Sequence, residues 1–417
     1  MSTMIDTSRI CLNIINIKNY FLKLLCFVML AVLPLSLPAL DWGVTTDHTV
    51  SQEGVGASPR GVGYQAMIIP WLSALPEKGG DLYVSAAFTV SLEDGKWTFV
   101  PELFRTSFFL AFDAGEIYLG RIPYADPLGF ILSGLFDGVS YAIDLPMGTF
   151  SAGLWYTGLL YKKTANITVT EDDFDSYYET LSYDNFADTY FASRRLAFAL
   201  GWEHPGIAEL VRLKVSLLGQ ADLNGRDTQF HSQYLAARAG VPLGDTFILD
   251  AGGALGFAEV SEKFQVSLAG ELGLSWYLPT AAQDRLKFTG IFSSGNKDGV
   301  SAFVPVSAVW QGGVLKAKIS GVSVLGLDYT VRLRQTLSLS AASSYFVLGD
   351  LGTYQGWRAG WDGHFLGNEF YAMLIWSPVS DLQLNLGGGV FVPAMGNADP
   401  SGKPRWKMEL NAALAIY

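Results

Sequence analysis

The stretch from Thr330 to Ser340 limits the fold more than any other part of this 417-residue chain. Thr330, Arg332, Arg334, Thr336, Ser338 and Ser340 share one parity, and Val331, Leu333, Leu337 and Leu339 share the other, with Gln335 the single lapse. A period of two puts unlike side chains on the two faces of a strand. The pattern returns in Leu82, Val84, Ala86, Phe88 and Val90, in Leu196, Phe198, Leu200 and Trp202, and in Val211, Leu213, Val215 and Leu217. In a water-soluble protein the apolar face meets a core. In a transmembrane barrel it meets lipid, and the polar face lines a wet lumen.

Composition separates these readings. Hydrophobic residues make up 50% of the chain, yet no apolar run after residue 40 has the ~20 residues that a membrane-spanning helix needs. The hydrophobicity is spread over short alternating segments near 97–112, 116–122, 136–145, 147–162, 232–242, 246–258, 263–277, 285–293, 300–310, 314–324, 328–341, 367–377, 381–393 and 404–417. Turn-forming clusters such as Ser293-Ser294-Gly295-Asn296 divide them. The connections leave little room for crossover helices, so the strands are expected to pair antiparallel. Residues 40–62, polar and Gly-rich, are expected to be an extended lead-in. The predicted fold is all-β: one transmembrane antiparallel up-and-down β-barrel of about 16–18 strands, at roughly 22 residues per strand and turn. Trp71, Trp97, Trp155, Trp202, Trp276, Trp310, Trp376 and Trp406 fall near proposed strand ends, where indoles favour the headgroup level.

Residues 1–39 read as a signal peptide: Lys18 and Lys23 precede the apolar stretch Leu24–Leu37, and a cleavage site follows near Leu37-Pro38-Ala39. The two cysteines, Cys11 and Cys26, both fall in this leader. The expected mature domain, 40–417, therefore has no thiol chemistry and no disulfide. Removing Arg9, Lys18, Lys23 and Asp6 leaves 25 basic and 38 acidic residues, a net charge of −13, which argues against nucleic-acid binding. Much of the acidity is concentrated in a segment of about 163–192, with Glu171, Asp172, Asp173, Asp175, Glu179, Asp184 and Asp188. Its length places it as an outer loop, solvated or binding a surface ligand.

Five basic pairs stand at i, i+2: Arg212/Lys214, Arg285/Lys287, Lys316/Lys318, Arg332/Arg334 and Arg405/Lys407. The residues between and beside them are mostly apolar, so each pair occupies the face opposite the lipid. A lipid-facing Arg or Lys at mid-bilayer costs about 2–4 kcal/mol, which makes the lumen the natural place for paired charges. Two outcomes follow. The ladders give an anion-selective lumen, or Glu271, Glu369, Glu409 and the acidic 171–188 segment neutralise them. His48, His204, His231 and His364 lack metal-ligand spacing, and no catalytic motif stands out. The sequence thus points to no enzyme, no metal and no cofactor.

These features resemble a bacterial outer-membrane porin. Tyr417 ends the last strand as a terminal aromatic, although its parity opposes Trp406, Met408, Leu410, Ala412, Leu414 and Ile416. Two stretches are similar to substrate-specific channels of the alginate-export type. One is Leu119-Gly120-Arg121-Ile122-Pro123-Tyr124-Ala125-Asp126-Pro127. The other is Gly367-Asn368-Glu369-Phe370-Tyr371 with Leu382-Gln383-Leu384-Asn385-Leu386-Gly387 and Phe391. The resemblance implies an outer-membrane location, passive diffusion of small polar or anionic solutes such as acidic saccharides, and a lumen role for Arg121 beside the five pairs. It also implies contact with outer-membrane lipid, and recognition of the C-terminal strand by barrel-assembly machinery. The alternative is a plugged structural or adhesive barrel whose surface loops bind a partner.

Overall fold

A computed structural model describes residues 39–75, 80–93, 95–208, 210–225, 229–260, 263–297, 299–355 and 362–417. The leader, apart from Ala39, lies outside them. Eighteen strands form one antiparallel sheet, each paired with its sequence neighbours. Strand β1 (Ala39–Val55) pairs with β2 (Ser58–Leu75) on one side and with β20 (Arg405–Ile416) on the other, so the sheet closes on itself. The remaining wall strands are β3 (Asp81–Glu93), β4 (Lys96–Phe112), β5 (Gly115–Ala125), β6 (Ser133–Leu145), β7 (Gly148–Tyr156), β8 (Arg195–Ile207), β9 (Val211–Asp222), β10 (Phe230–Leu243), β11 (Phe247–Val260), β12 (Lys263–Tyr277), β13 (Arg285–Ser293), β16 (Val322–Arg334), β17 (Leu337–Leu348), β18 (Phe365–Val379) and β19 (Leu382–Val392). A separate two-residue hairpin, β14 (Trp310–Gln311) with β15 (Ala317–Lys318), stands inside a long connection.

Closure leaves no strand without a neighbour on either side, as a sheet in lipid requires, although the β4–β5 ladder covers only Thr106–Phe112 of β4. Along β8 to β12, Leu200, Leu217, Leu235, Leu255 and Leu268 are successive cross-strand partners and all are exposed. This is a leucine row on the outer surface. One residue further on, Ser216, Ala236, Ala254 and Ala269 are likewise partners, and all are buried. The two rows carry the period-two pattern into space: lipid outside, packed protein inside.

The two ends of the barrel differ. Connections at one end are short, such as 113–114, 146–147, 335–336 and 380–381; the other end carries 126–132, 157–194, 294–321, 349–364 and 393–404. Short turns on one side and long loops on the other are the habit of outer-membrane barrels.

Several sequence expectations change. Residues 40–62 are not a lead-in but β1 and the start of β2. The segments 300–310 and 314–324 do not form wall strands; both fall mainly in the connection 294–321, and β16 begins at Val322. Their alternation serves an interior core, which buries Phe303, Val306, Leu315 and Ile319. The stretch 328–341 is two strands. Thr330 faces Ser340, Val331 faces Leu339 and Arg332 faces Ser338 across a turn at Gln335-Thr336.

Candidate functional site

Three long-loop connections turn into the barrel and meet there. The first is the β5–β6 tip, 126–132. The Asp126 carboxylate accepts hydrogen bonds from the backbone N–H groups of Leu128, Gly129, Ile131 and Leu132, at 2.8–3.0 Å. Four charge-assisted bonds lock a tight turn and free its apolar residues to pack. Leu128, Phe130, Ile131 and Leu132 are buried with Ala254 and Ala269 of the β11 and β12 walls. Gly252 on β11 makes room for the tip: a Cβ there would lie 2.4 Å from Leu128 Cδ2.

The second is the β7–β8 connection, 157–194, with short helices α1 (Lys162–Ala165), α2 (Glu171–Tyr178) and α3 (Phe186–Tyr190). A capping box between Thr170 and Asp173 starts α2. Asp173 does more than cap. It receives Arg195 Nη2 at 2.6 Å and the Ser193 hydroxyl at 2.5 Å. Arg195 also meets Asp222 at 3.2 Å, Gln220 Oε1 at 2.7 Å and the Phe230 carbonyl at 3.2 Å. The Asp173 and Arg195 side chains are both 0% exposed. Burial alone would raise the Asp173 pKa, but the Arg195 charge and the Ser193 hydroxyl outweigh it and hold the carboxyl below its ordinary range. The acidic segment is therefore split: Asp173 latches the connection to the wall, whereas Glu171, Asp172, Glu179 and Asp184 are exposed.

The third is the β13–β16 connection, 294–321. Gly312, at φ +82°, turns the β14–β15 hairpin. The N–H groups of Gly313, Val314 and Leu315 then donate to the Glu369 carboxylate of β18, at 2.6–3.1 Å. Lys318 donates its ammonium to the Thr168 carbonyl. Burial pushes this amine down to about 8, with Asp173 opposing and Arg195 reinforcing the shift. The three connections also bind each other. Val306 N–H donates to Ile131 O at 2.8 Å, and Ala308 N–H donates to Asn166 O at 2.8 Å.

The predicted site residues do not form one ring. Arg212/Lys214, Arg285/Lys287 and Arg332/Arg334 lie toward the short-turn end of β9, β13 and β16. Lys316/Lys318 and Arg405/Lys407 lie toward the long-loop end. Lys214 pairs with Glu203 at 2.8 Å, Lys407 with Glu409 at 2.5 Å, and Lys316 with Glu53 at 3.7 Å. Lys287 stands opposite Asp328. Arg332 donates to Gln283 Oε1 and to the Gln335 carbonyl. Lys316 and Lys318 are on the inward connection, not on the wall. Arg121 is buried. It forks onto Asp137 at 2.8 and 2.7 Å and donates to the carbonyls of Leu159 and Leu103.

The residues that position the connections are Arg195 and Asp222, which the sequence did not single out, and Asp126 and Asp173, which it named without this role. A further group lines the wall, of which the sequence named only Glu271. Arg238 meets Asp250 at 3.5 Å and Glu271 at 3.0 Å, with side chains 33%, 25% and 12% exposed. Their parity is that of the buried Ala254 row, so this exposure is to water inside the barrel.

The fold and its three inward connections define a class: a closed 18-stranded transmembrane β-barrel with polypeptide folded into its lumen. Solved structures share the barrel fold. Pseudomonas aeruginosa OccK2 (OpdF) superposes with a TM-score of 0.63 over 92% of this chain and 99% of that one, at 13% identity. Pseudomonas aeruginosa OccD3 (OpdP) gives 0.60 over 91% and 92%, at 15% identity. Pseudomonas aeruginosa OpdK with vanillate gives 0.60 over 91% and 99%, at 13% identity. No family model matches the chain, and no curated protein matches it.

Proposed function

We propose that the protein is a porin-like channel of the bacterial outer membrane, a channel and not an enzyme, for passive diffusion of small polar or anionic solutes. One observation carries this reading: Arg238, Asp250, Glu271 and their neighbours are charged, partly exposed and on the lumen face of a wall whose other face is leucine. A barrel of this size holds water unless it is filled. Arg121 braces the wall rather than meeting solute. The basic pairs at the short-turn end, Arg212/Lys214, Arg285/Lys287 and Arg332/Arg334, bias the exit toward anions, with Glu203 and Asp328 moderating them. Small carboxylates are the first solutes to screen, since OccK2 (OpdF) has been solved in complex with glucuronate and OpdK with vanillate. The outer leucine row contacts lipid, and β20 is the strand offered to barrel-assembly machinery.

The test is single-channel conductance and reversal potential of the refolded 40–417 segment in a salt gradient. Stable steps with anion preference support the proposal, and a folded but silent protein sinks it. The interlocked connections favour the second reading, a plugged barrel acting through its surface loops, and silence from a well-folded barrel is the result it expects.

A further inference from the structure

Going beyond the channel, and resting only on the membrane placement of the barrel, we infer that the β4–β5 seam is a lateral portal. Its ligand would be an amphiphile with an apolar body and an acidic head, passing between the barrel interior and the surrounding lipid. The ladder between these strands ends at Thr106 and Arg121. Strand β4 nevertheless runs on to Lys96, so Lys96–Arg105 have no strand partner on that side. Strand β5 continues to Ala125 paired only with β6, because its tip has left the wall for the interior core.

In lipid an open edge must be closed by something. Here side chains close it, at every second residue, as a strand would. The Arg121 guanidinium donates to the Leu103 carbonyl, and the Tyr190 hydroxyl donates to the Pro101 carbonyl at 2.7 Å. The Tyr183 hydroxyl accepts from Phe99 N–H at 3.1 Å and donates to the Phe99 carbonyl. Thr164 of α1 donates to Glu102 at 2.8 Å. Tyr183, Tyr190 and Thr164 all belong to 157–194, a segment tied to the wall elsewhere by the Arg195 latch. Single hydroxyl contacts open one at a time, unlike a cooperative ladder.

Both sides of the seam suit an amphiphile. On the lipid side Leu103 and Trp97 are exposed, and Phe88 stacks on Phe99 at 6.3 Å. On the other side Tyr161, Phe186 and Phe191 pack around Tyr190. The same connection carries a buried amine. Lys162, on the same short helix as Thr164, is 3% exposed, and its buried ammonium nitrogen has no hydrogen-bond acceptor among the described residues; the Glu179 carboxylate acts on it electrostatically without an ion-pair contact. A buried amine without an acceptor gains from an anion that would hold its proton, and a carboxylate head on an apolar body supplies one.

The experiment labels the protein in liposomes with a diazirine-bearing twelve-carbon fatty acid and maps the adducts by mass spectrometry. Conductance is followed in parallel. Adducts are expected on 161–163 and 190 as well as on the lipid-facing leucines, with the interior adducts competed by unlabelled dodecanoate. Tyr183→Phe with Tyr190→Phe should raise the interior adducts several-fold. Phe99→Cys and Tyr183→Cys, bridged by a short cleavable bis-maleimide, should abolish them without stopping conductance, and cleavage of the bridge should restore them. Because the same molecules are tested shut and reopened, misfolding cannot imitate the result. Interior adducts that are absent throughout, or that persist unchanged in the bridged protein, overturn the portal. Loss of conductance in every variant strikes the channel reading and leaves this one standing.

Discussion

Two parts of the wall close the barrel by different means. From β8 to β12 each strand is bonded to both neighbours over most of its length, and the lateral rows repeat one residue type, leucine outside and small residues inside. From β4 to β5 the backbone ladder stops at Thr106 and Arg121, and individual side chains finish the closure. A wall held by backbone tolerates substitution, because any residue brings the same N–H and C=O. A wall held by side chains depends on a few residues, each with its own geometry, and on the connection that delivers them.

The comparison can be broken where it is most strained. Arg195→Met should be the most damaging change, since it leaves Asp173 and Asp222 buried without their cation. Breaking a buried pair by removing one partner costs about 3–5 kcal/mol, and proteolysis should then cut within 157–194 while the barrel keeps its heat-modifiable migration on gels. On the regular side, Leu235→Arg at the centre of the leucine row should destabilise the refolded barrel by about 2–4 kcal/mol in urea titrations, whereas Leu235→Val should be nearly silent. Tyr190→Phe removes one hydroxyl bond at the seam and should cost about 1 kcal/mol, with faster hydrogen exchange limited to the β4 edge. A uniform gain in exchange around the barrel would deny that the seam is special.

Acidity provides a finer probe. Lys318 is held down to about 8 by burial, below its unfolded value of 10.5. Its unfavourable charge is thus present in full below pH 8 and is relieved as pH rises from about 8 toward 10.5. Resistance of the inward connections to proteolysis should therefore increase between pH 8 and 10 in the parent and stay flat in Lys318→Met. The smallest effect is expected at the rim. Arg332→Glu with Arg334→Glu should move the reversal potential toward cations without altering stability, and an unchanged potential would remove that pair from the conduction path.

The sequence displayed the wall well and the interior poorly, for one physical reason. Wall strands keep a strict two-face environment, and parity reports it. Parity even hid a turn at Gln335-Thr336. Partners such as Thr330 and Ser340 have numbers that add to an even total, so the polar face stays in phase across the hairpin. The same signal misled at 300–324, where alternating apolar residues pack an interior core instead of facing lipid. The basic pairs were visible as paired charges, but their partners Glu203, Asp328 and Glu53 come from other segments and cannot be read locally. Arg195 escaped because it follows Arg194 directly and breaks the i, i+2 pattern. The Thr170-x-x-Asp173 capping box and the turn-prone Asp126-Pro127 were legible clues to the interior.

Strand β20 lies beside β1, and Asn411 reaches across that junction to Asp47 at 2.8 and 2.9 Å. The described chain is thus a loop in space, although it is a line in covalent terms. The choice of starting point is then largely a matter of synthesis, not of architecture. Joining the two ends with a short linker and opening the backbone in 393–404 should yield a rearranged polypeptide with the same wall. It would insert β20 first instead of last, so its assembly rate would report whether the closing strand sets the pace of membrane insertion.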